Sequence, residues 1–209
     1  MTTATAEIDG VHWAYDEAGE GPLLLLFHGT LSGKAVYAEQ LPILSRRCRV
    51  VAVDWPGHGD SGFDPGGWTV ANLVDAVPRL IDALGERTAI LAGVSQGGAI
   101  SMRVALRSPD RVRGLITMSA GPDRPGDQAI AMITRVGQVM ANGTESERRS
   151  ALEEVQRNAF HAPGWVDAHP AAAAWELELM LGHPREAMPH ATHIPATYDS
   201  VEDLSLIHI

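Results

Sequence analysis

The chain has 209 residues, of which 45% are apolar and 20% charged, a composition typical of a globular protein. Its 26 acidic and 16 basic residues give a formal net charge of −10 without any basic cluster, so we expect no nucleic-acid partner. The apolar run at residues 23–27 is too short to span a bilayer, and residues 1–7 lack a signal-peptide pattern. The single cysteine, Cys48, excludes an internal disulfide and a thiolate metal cluster. We therefore expect a cytoplasmic protein with no membrane partner.

Short apolar runs alternate with amphipathic stretches from about residue 6 to residue 121, which predicts βαβ units and a mainly parallel sheet. Residues 11–15 alternate weakly and are predicted to form an edge strand. Four further runs are apolar, as in strands that are covered on both faces. These runs are residues 23–27, 49–54, 89–94 and 112–118.

Two helices are predicted between these strands. Apolar residues at helical spacing cover residues 70–84, with Gly85 as a C-cap, and Pro78 is expected to kink or shorten this helix. Residues 99–106 are apolar nearly all round, which indicates a helix that is packed between other elements.

The pattern changes after Pro122, where helical spacing continues without a clear strand signal. Thr144 and Glu147 form a capping box that opens a helix predicted to extend through Phe160. Prolines break the remainder into short pieces. We therefore predict an α/β core at residues 1–121, a helical lid at residues 122–195, and a lead-in at residues 196–203 to further core strands.

The strongest chemical signal is a Gly-x-Ser-x-Gly motif at residues 93–97, centred on Ser95. It lies between a predicted strand and a predicted helix, which is the context that a nucleophile elbow requires. Such a turn strains the serine backbone and needs small neighbours, and it directs the hydroxyl away from the sheet edge. The alternative interpretation is an ordinary structural turn.

Two loops follow neighbouring strands on the same predicted edge. After residues 23–27 comes His28-Gly29-Thr30, where the backbone N–H of Thr30, with Leu31 as the alternative, could join that of Gln96 in an oxyanion hole. The second loop begins at Asp54 and ends at Ser61. We expect the loop histidines His28 and His58 to be structural hydrogen-bonding residues rather than catalytic bases.

The order of these motifs resembles the α/β-hydrolase fold superfamily, and more narrowly its lidded bacterial esterases, C–C bond hydrolases and cofactor-free haloperoxidase relatives. The resemblance covers residues 6–121. It implies a mostly parallel sheet with helices on both faces, Ser95 as the nucleophile, and Thr30 and Gln96 as the oxyanion hole. Serine in place of aspartate at this position argues against dehalogenases and epoxide hydrolases. We expect a small-molecule acyl substrate, no cofactor and no metal.

The family also needs an acid and a histidine base, in the chain order serine, acid, histidine. They follow later strands, and at roughly 30 residues per βαβ unit the residues after Pro195 are too few to supply them. We therefore expect the catalytic histidine, and the acid with it, to lie outside this chain. Asp123 is the best acid candidate still present. The acidic residues Asp199, Glu202 and Asp203 are interpreted as part of the lead-in to a seventh strand.

The last six residues, 204–209, read Leu-Ser-Leu-Ile-His-Ile. The codons CTG TCT CTT ATA CAC ATC encode them, and that string resembles a transposase end sequence used in preparing sequencing libraries. We therefore expect residues 204–209 to be translated adapter, so that His208, although placed after Ser95, is no triad member. A natural C-terminus is the alternative.

The remaining late histidines lie in the predicted lid, where surface or helix-packing roles are expected. Three of them, His183, His190 and His193, are close enough in sequence for a metal site. However, Pro184 and Pro189 prevent a shared helical face, and no cysteine or carboxylate completes the set.

The leading hypothesis is a serine hydrolase that acts on an ester, thioester, lactone or activated C–C bond and is very slow as this chain. An acyltransferase on the same scaffold and a non-catalytic ligand-binding protein of the same fold are the alternatives. A dinucleotide-binding domain is disfavoured because no Gly-x-Gly-x-x-Gly follows the first long parallel strand. Strands missing after residues 112–118 would leave one sheet edge unpaired.

Overall fold

The computed structural model describes residues 1–198, which form a six-stranded sheet and a set of helices. The segment expected to be adapter and its His208 lie outside the described residues, as do Asp199, Glu202 and Asp203.

The sheet is mixed and mostly parallel, as expected from the alternation of apolar runs and helices. Its order is β1-β2-β4-β3-β5-β6, with β1 and β2 antiparallel to their neighbours and the other four strands parallel. The strands are β1 Thr2–Ile8, β2 Val11–Ala18, β3 Leu23–Phe27, β4 Arg49–Val53, β5 Ala89–Val94 and β6 Val112–Met118. The four predicted apolar strands are thus confirmed, and every residue of β3 is buried.

The predicted edge strand is wrong. Residues 11–15 belong to β2, which lies between β1 and β4, so that β1 forms this edge of the sheet. The residues of β1 are mostly small or acidic and carry little apolar signal. The sequence does contain a turn signal, Asp9-Gly10. Both residues adopt the positive φ that a tight hairpin turn requires.

Helices cover both faces of the sheet. On one face, α2 (Val70–Ala83) and α3 (Gln96–Arg107) pack their apolar side chains against β3, β4 and β5. On the other face, a 3₁₀ turn at Lys34–Tyr37 and the short α1 (Leu41–Leu44) cover β3 and β4. Gly85 has φ 78, the left-handed geometry expected of a glycine that caps the end of α2.

Pro78 does not shorten α2, which was one of the two effects expected of it. The helix continues for 14 residues with Pro78 inside it, although a proline within a helix costs about 3 kcal/mol. Burial of the apolar face of α2, which includes Leu73, Val77 and Ile81, stabilises the helix on both sides of the proline.

Residues 122–198 contain helices only, within the part of the chain that the structure describes. The helices are α4 Asp127–Asn142, α5 Glu145–Val155, a π-helical turn Gln156–Phe160, α6 Trp165–Ala168, α7 Pro170–Leu181 and α8 Met188–His193, with 3₁₀ turns at Arg185–Ala187 and Ile194–Thr197. The capping box of Thr144 and Glu147 is confirmed at the start of α5. This helical segment has its own apolar core, which also contains Leu31 of the sheet domain.

The edge strand β6 pairs only with β5 among the described strands. Its side chains Ile116 and Met118 are 49% and 41% exposed. Among residues 1–198, no helix combines the length and apolarity that a bilayer crossing requires.

Candidate active site

Ser95 lies on a strained turn between β5 and α3. Its backbone has φ 51 and ψ −119, a conformation that L-residues rarely adopt. Hydrogen bonds on both sides hold this turn, because Ser95 N donates to Met118 O at 2.9 Å and Ala99 N donates to Ser95 O at 2.9 Å. The strain expected of a nucleophile elbow is therefore present at the serine of the motif.

The two motif glycines are required by close backbone contacts. A Cβ at Gly93 would lie 2.3 Å from the carbonyl carbon of Gly97. A Cβ at Gly97 would lie 2.3 Å from the carbonyl oxygen of Phe27, at the end of β3. Neither backbone atom can move without displacing β3 or α3, so only glycine fits at these positions.

The loop after β3 lies directly against Ser95. Thr30 Oγ1 donates to the side-chain Oε1 of Gln96 at 2.8 Å, and both residues are buried. A Cβ built on Gly29 would be 3.3 Å from the Cβ of Ser95, which shows how closely this loop passes the serine. Leu31 has φ 61, a second strained position. The structure therefore brings together Ser95, Thr30 and Gln96, which the sequence analysis grouped.

His28 and His58 support the backbone of the loops that follow β3 and β4. His28 Nε2 accepts from the backbone N–H of Trp55 at 3.0 Å, and its Nδ1 donates to Gly29 O at 2.7 Å. His58 Nδ1 lies 3.2 Å from Pro56 O. Burial lowers the pKa of His28 to about 4 and lowers the pKa of His58 well below its usual value. Both rings are fully buried, which agrees with the structural roles expected of them.

His183 connects the helical segment to the loops around Ser95. Its Nε2 donates to Leu31 O at 3.0 Å and its Nδ1 accepts from Gly59 N at 3.1 Å. Its ring contacts that of His58 edge to face, and burial lowers its pKa. The sequence analysis missed this role, and no local pattern marks it because the bonded residues are 152 and 124 positions apart.

A buried ion pair supports the same loops and was also missed. Lys34 Nζ donates to Asp54 Oδ2 at 2.7 Å, and the backbone N–H of Lys34 donates to Asp54 Oδ1 at 2.6 Å. Asp60 contributes a second carboxylate to Lys34. Burial alone would lower the pKa of Lys34, but its bonds and charge interactions with both carboxylates raise it overall. The loop after β4 is thus fixed to the loop after β3.

A cavity of about 460 Å³ opens at Ser95 between the sheet edge and the helical segment. The sheet domain contributes Thr30 and Ser119, which has φ 48 after β6. The helical segment contributes mainly apolar side chains. They include Ile130, Met132, Ile133, Phe160 and Met180. This is the mixture of apolar walls and few polar groups that small-molecule sites show.

Asp123 borders a smaller cavity of about 130 Å³ that Ser95, Thr30 and Tyr198 also line. Its side chain is exposed. No histidine within residues 1–198 is hydrogen-bonded to Asp123 or to Ser95 Oγ. The described residues therefore contain the serine and the two loops, but no assembled triad.

Three of the late histidines, His161, His169 and His190, contact tryptophan rings. His183 and His190 do not form a metal site with His193, since no cluster of three or more potential metal ligands occurs in residues 1–198.

Residues 22–161 match the family model of the alpha/beta hydrolase fold. The chain belongs to the α/β-hydrolase fold family. A putative carbamate hydrolase of Azorhizobium caulinodans is 29% identical over 169 residues, which cover 81% of this chain and 62% of the relative. A 2-(acetamidomethylene)succinate hydrolase of Mesorhizobium japonicum is 38% identical over 106 residues, which cover 51% of this chain and 38% of the relative. The chain thus spans less than two thirds of the length of these relatives.

A thermophilic esterase of Thermogutta terrifontis has a similar fold. It superposes with a TM-score of 0.83 at 24% identity, over 98% of this chain and 75% of the esterase. This similarity covers the sheet and the helical segment together.

Proposed function

We propose that this chain carries the nucleophile, the oxyanion hole and the lid of a serine hydrolase that cleaves carboxylic esters or related acyl or C–C substrates. One observation carries the proposal. Ser95 is held at φ 51 on a turn beside Thr30 and Gln96, and it opens into a largely apolar cavity. The strain at Ser95 is unfavourable for folding, and such strain is typical of functional positions.

In the proposed reaction, Ser95 Oγ attacks the carbonyl carbon of the substrate. The negative charge that develops on the carbonyl oxygen is stabilised by the backbone N–H groups of Thr30 and Gln96. The leaving group departs and an acyl-enzyme remains, which water then hydrolyses. The side-chain hydrogen bond between Thr30 and Gln96 holds the two loops at a constant separation. The helical segment, acting as a lid, encloses the acyl group.

The general base of this reaction is proposed to lie outside residues 1–198. His28 and His183 each use both ring nitrogens in hydrogen bonds to backbone groups, and His58 is fully buried. His161 lines the cavity at Ser95, but its Nε2 is bonded to Glu176. None of these histidines is hydrogen-bonded to Ser95 Oγ. Without a base Ser95 stays a neutral, weakly nucleophilic alcohol, so we expect this chain to be slow.

The experiment compares the chain with its Ser95→Ala variant on short-chain p-nitrophenyl esters. We expect slow p-nitrophenol release that falls further in Ser95→Ala, because the variant lacks the hydroxyl that forms the acyl-enzyme. Ser150→Ala is the control and should leave the rate unchanged, because Ser150 is an exposed residue of α5 that does not line this cavity.

Adding a primary alcohol distinguishes hydrolysis from acyl transfer. Ester formation with the alcohol would favour the acyltransferase alternative. Equal rates for the chain, Ser95→Ala and buffer would contradict the proposed function and favour a non-catalytic ligand-binding protein.

A further inference from the structure

The helical segment places a polar pair, His161 and Glu176, on the wall of the cavity at Ser95. His161 Nε2 lies 2.7 Å from Glu176 Oε2. Gln156 Nε2 donates to the same Oε2 at 2.7 Å and also to Ala173 O at 2.9 Å. The side chains of His161 and Glu176 are only 19% and 21% exposed. A carboxylate is therefore held in an otherwise largely apolar wall by two side-chain donors.

Ring stacking fixes the orientation of His161. Its ring lies 3.8 Å from that of Trp165 at an interplanar angle of 11°, and His169 stacks on Trp165 at 4.7 Å. His161 directly follows the π-helical turn Gln156–Phe160, a kind of irregularity that is frequent at functional sites. The polar pair is thus rigid before any ligand binds, which lowers the entropic cost of binding.

The two remaining polar atoms of the pair are both hydrogen-bond acceptors. Because Oε2 of Glu176 accepts from Nε2, that nitrogen carries a proton, and in the imidazole form with a single proton Nδ1 of His161 is left as an acceptor. Glu176 Oε1 accepts only, as any carboxylate oxygen does. Neither atom is hydrogen-bonded to any of residues 1–198. Neither is among the fully buried unpaired atoms, so both remain accessible.

We propose that His161 and Glu176 form a specificity site for a hydrogen-bond donor, a hydroxyl or an amide N–H, carried by the substrate outside its scissile carbonyl. This inference rests on the proposed function, because it takes the cavity at Ser95 as the substrate site. A donor group satisfies two acceptors that an apolar substrate would leave unpaired. A carboxylate at this place would face two acceptors and the charge of Glu176, so it is rejected.

The test measures binding without turnover, with the full chain carrying Ser95→Ala. Isothermal titration calorimetry compares ethyl esters of equal chain length that end in a hydroxyl, a carboxamide, a methyl or a carboxylate group. We expect the hydroxyl and carboxamide esters to bind about three- to tenfold more tightly than the methyl ester, as one or two net hydrogen bonds provide. The carboxylate ester should bind most weakly.

Variants assign the preference to the pair. His161→Phe keeps an aromatic ring beside Trp165 and should abolish the preference for hydroxyl and carboxamide. His169→Phe is the matched control, since it stacks on the same tryptophan but does not line the cavity, and should keep the preference. Glu176→Gln removes the charge and should improve binding of the carboxylate ester. If His161→Phe does not fold, His161→Leu, which also removes both ring nitrogens, replaces it.

Three results would overturn the proposal: the methyl ester binding most tightly, the same preference in the His161 variants as in their parent, or no binding of any ester. None of these depends on the reactivity of Ser95. The assay of p-nitrophenyl esters therefore tests the proposed function separately.

Discussion

Acidification should destabilise the fold through its buried histidines. In the folded protein the pKa of His28 is lowered from 6.5 to about 4, mainly by burial, and the unfolded chain restores the usual value. Between pH 6.5 and about 4, His28 therefore binds a proton in the unfolded state but not in the folded state. Stability is fully present above pH 6.5 and is lost as the pH falls from 6.5 to about 4.

The size of this effect follows from the lowered pKa of His28. One pKa unit is worth about 1.4 kcal/mol, so His28 alone removes about 3 kcal/mol from the free energy of unfolding across that range. This is about a fifth to three fifths of the 5–15 kcal/mol that is typical for the free energy of unfolding of a domain. His58 and His183 act in the same direction, because burial lowers their pKa values too.

The assay is urea-induced unfolding followed by tryptophan fluorescence at several pH values between 7.5 and 4. His28→Gln keeps a donor and an acceptor but does not titrate, so it should lose about 3 kcal/mol of the pH dependence of its parent. His169→Gln, at an exposed position, should retain all of it. An unchanged pH dependence in His28→Gln would refute the reasoning.

Three substitutions test the contacts that hold the site and the helices, each measured as the free energy of unfolding in urea. Gly97→Ala should destabilise the chain by several kcal/mol, roughly the upper range for single substitutions, because its Cβ would meet the carbonyl of Phe27 at 2.3 Å; a loss as small as that of an exposed-site control would contradict this. Lys34→Met should cost about 3–5 kcal/mol by leaving Asp54 without its buried cation, and a neutral result would show that the pair is dispensable. Thr144→Ala should cost about 1 kcal/mol by removing the cap of α5, whereas Thr144→Ser should restore most of it.

The sheet was predictable wherever apolar side chains run continuously along a strand. All of β3, β5 and β6 were found with their observed bounds, because covered parallel strands need apolar residues on both faces. The antiparallel β1 was missed, since Thr2–Ile8 lacks large apolar side chains. Pro78 does not shorten α2, because packing of the helix outweighs the local cost of a proline.

The site was predictable only where its parts are close in sequence. Gly93, Ser95 and Gly97 fall within five residues, and the steric need for glycine there is local. The hydrogen bonds of His183 to Leu31 and of His161 to Glu176 depend on how the helices pack in three dimensions. The spacing of these residues in the sequence does not predict either bond. Lys34 and Asp54 are 20 positions apart, so no local pattern in the sequence predicts their ion pair.

Covalent modification of Ser95 tests the central claim most directly. The chain and its Ser95→Ala variant are incubated with an activated p-nitrophenyl ester, and the acylated residue is identified by intact-protein and peptide mass spectrometry over time. We predict one acyl group on Ser95 of the chain, formed slowly because no base is hydrogen-bonded to it among residues 1–198, and none at position 95 of the variant. Acylation confined to lysine or histidine side chains, at equal rates in both proteins, would contradict Ser95 as the nucleophile.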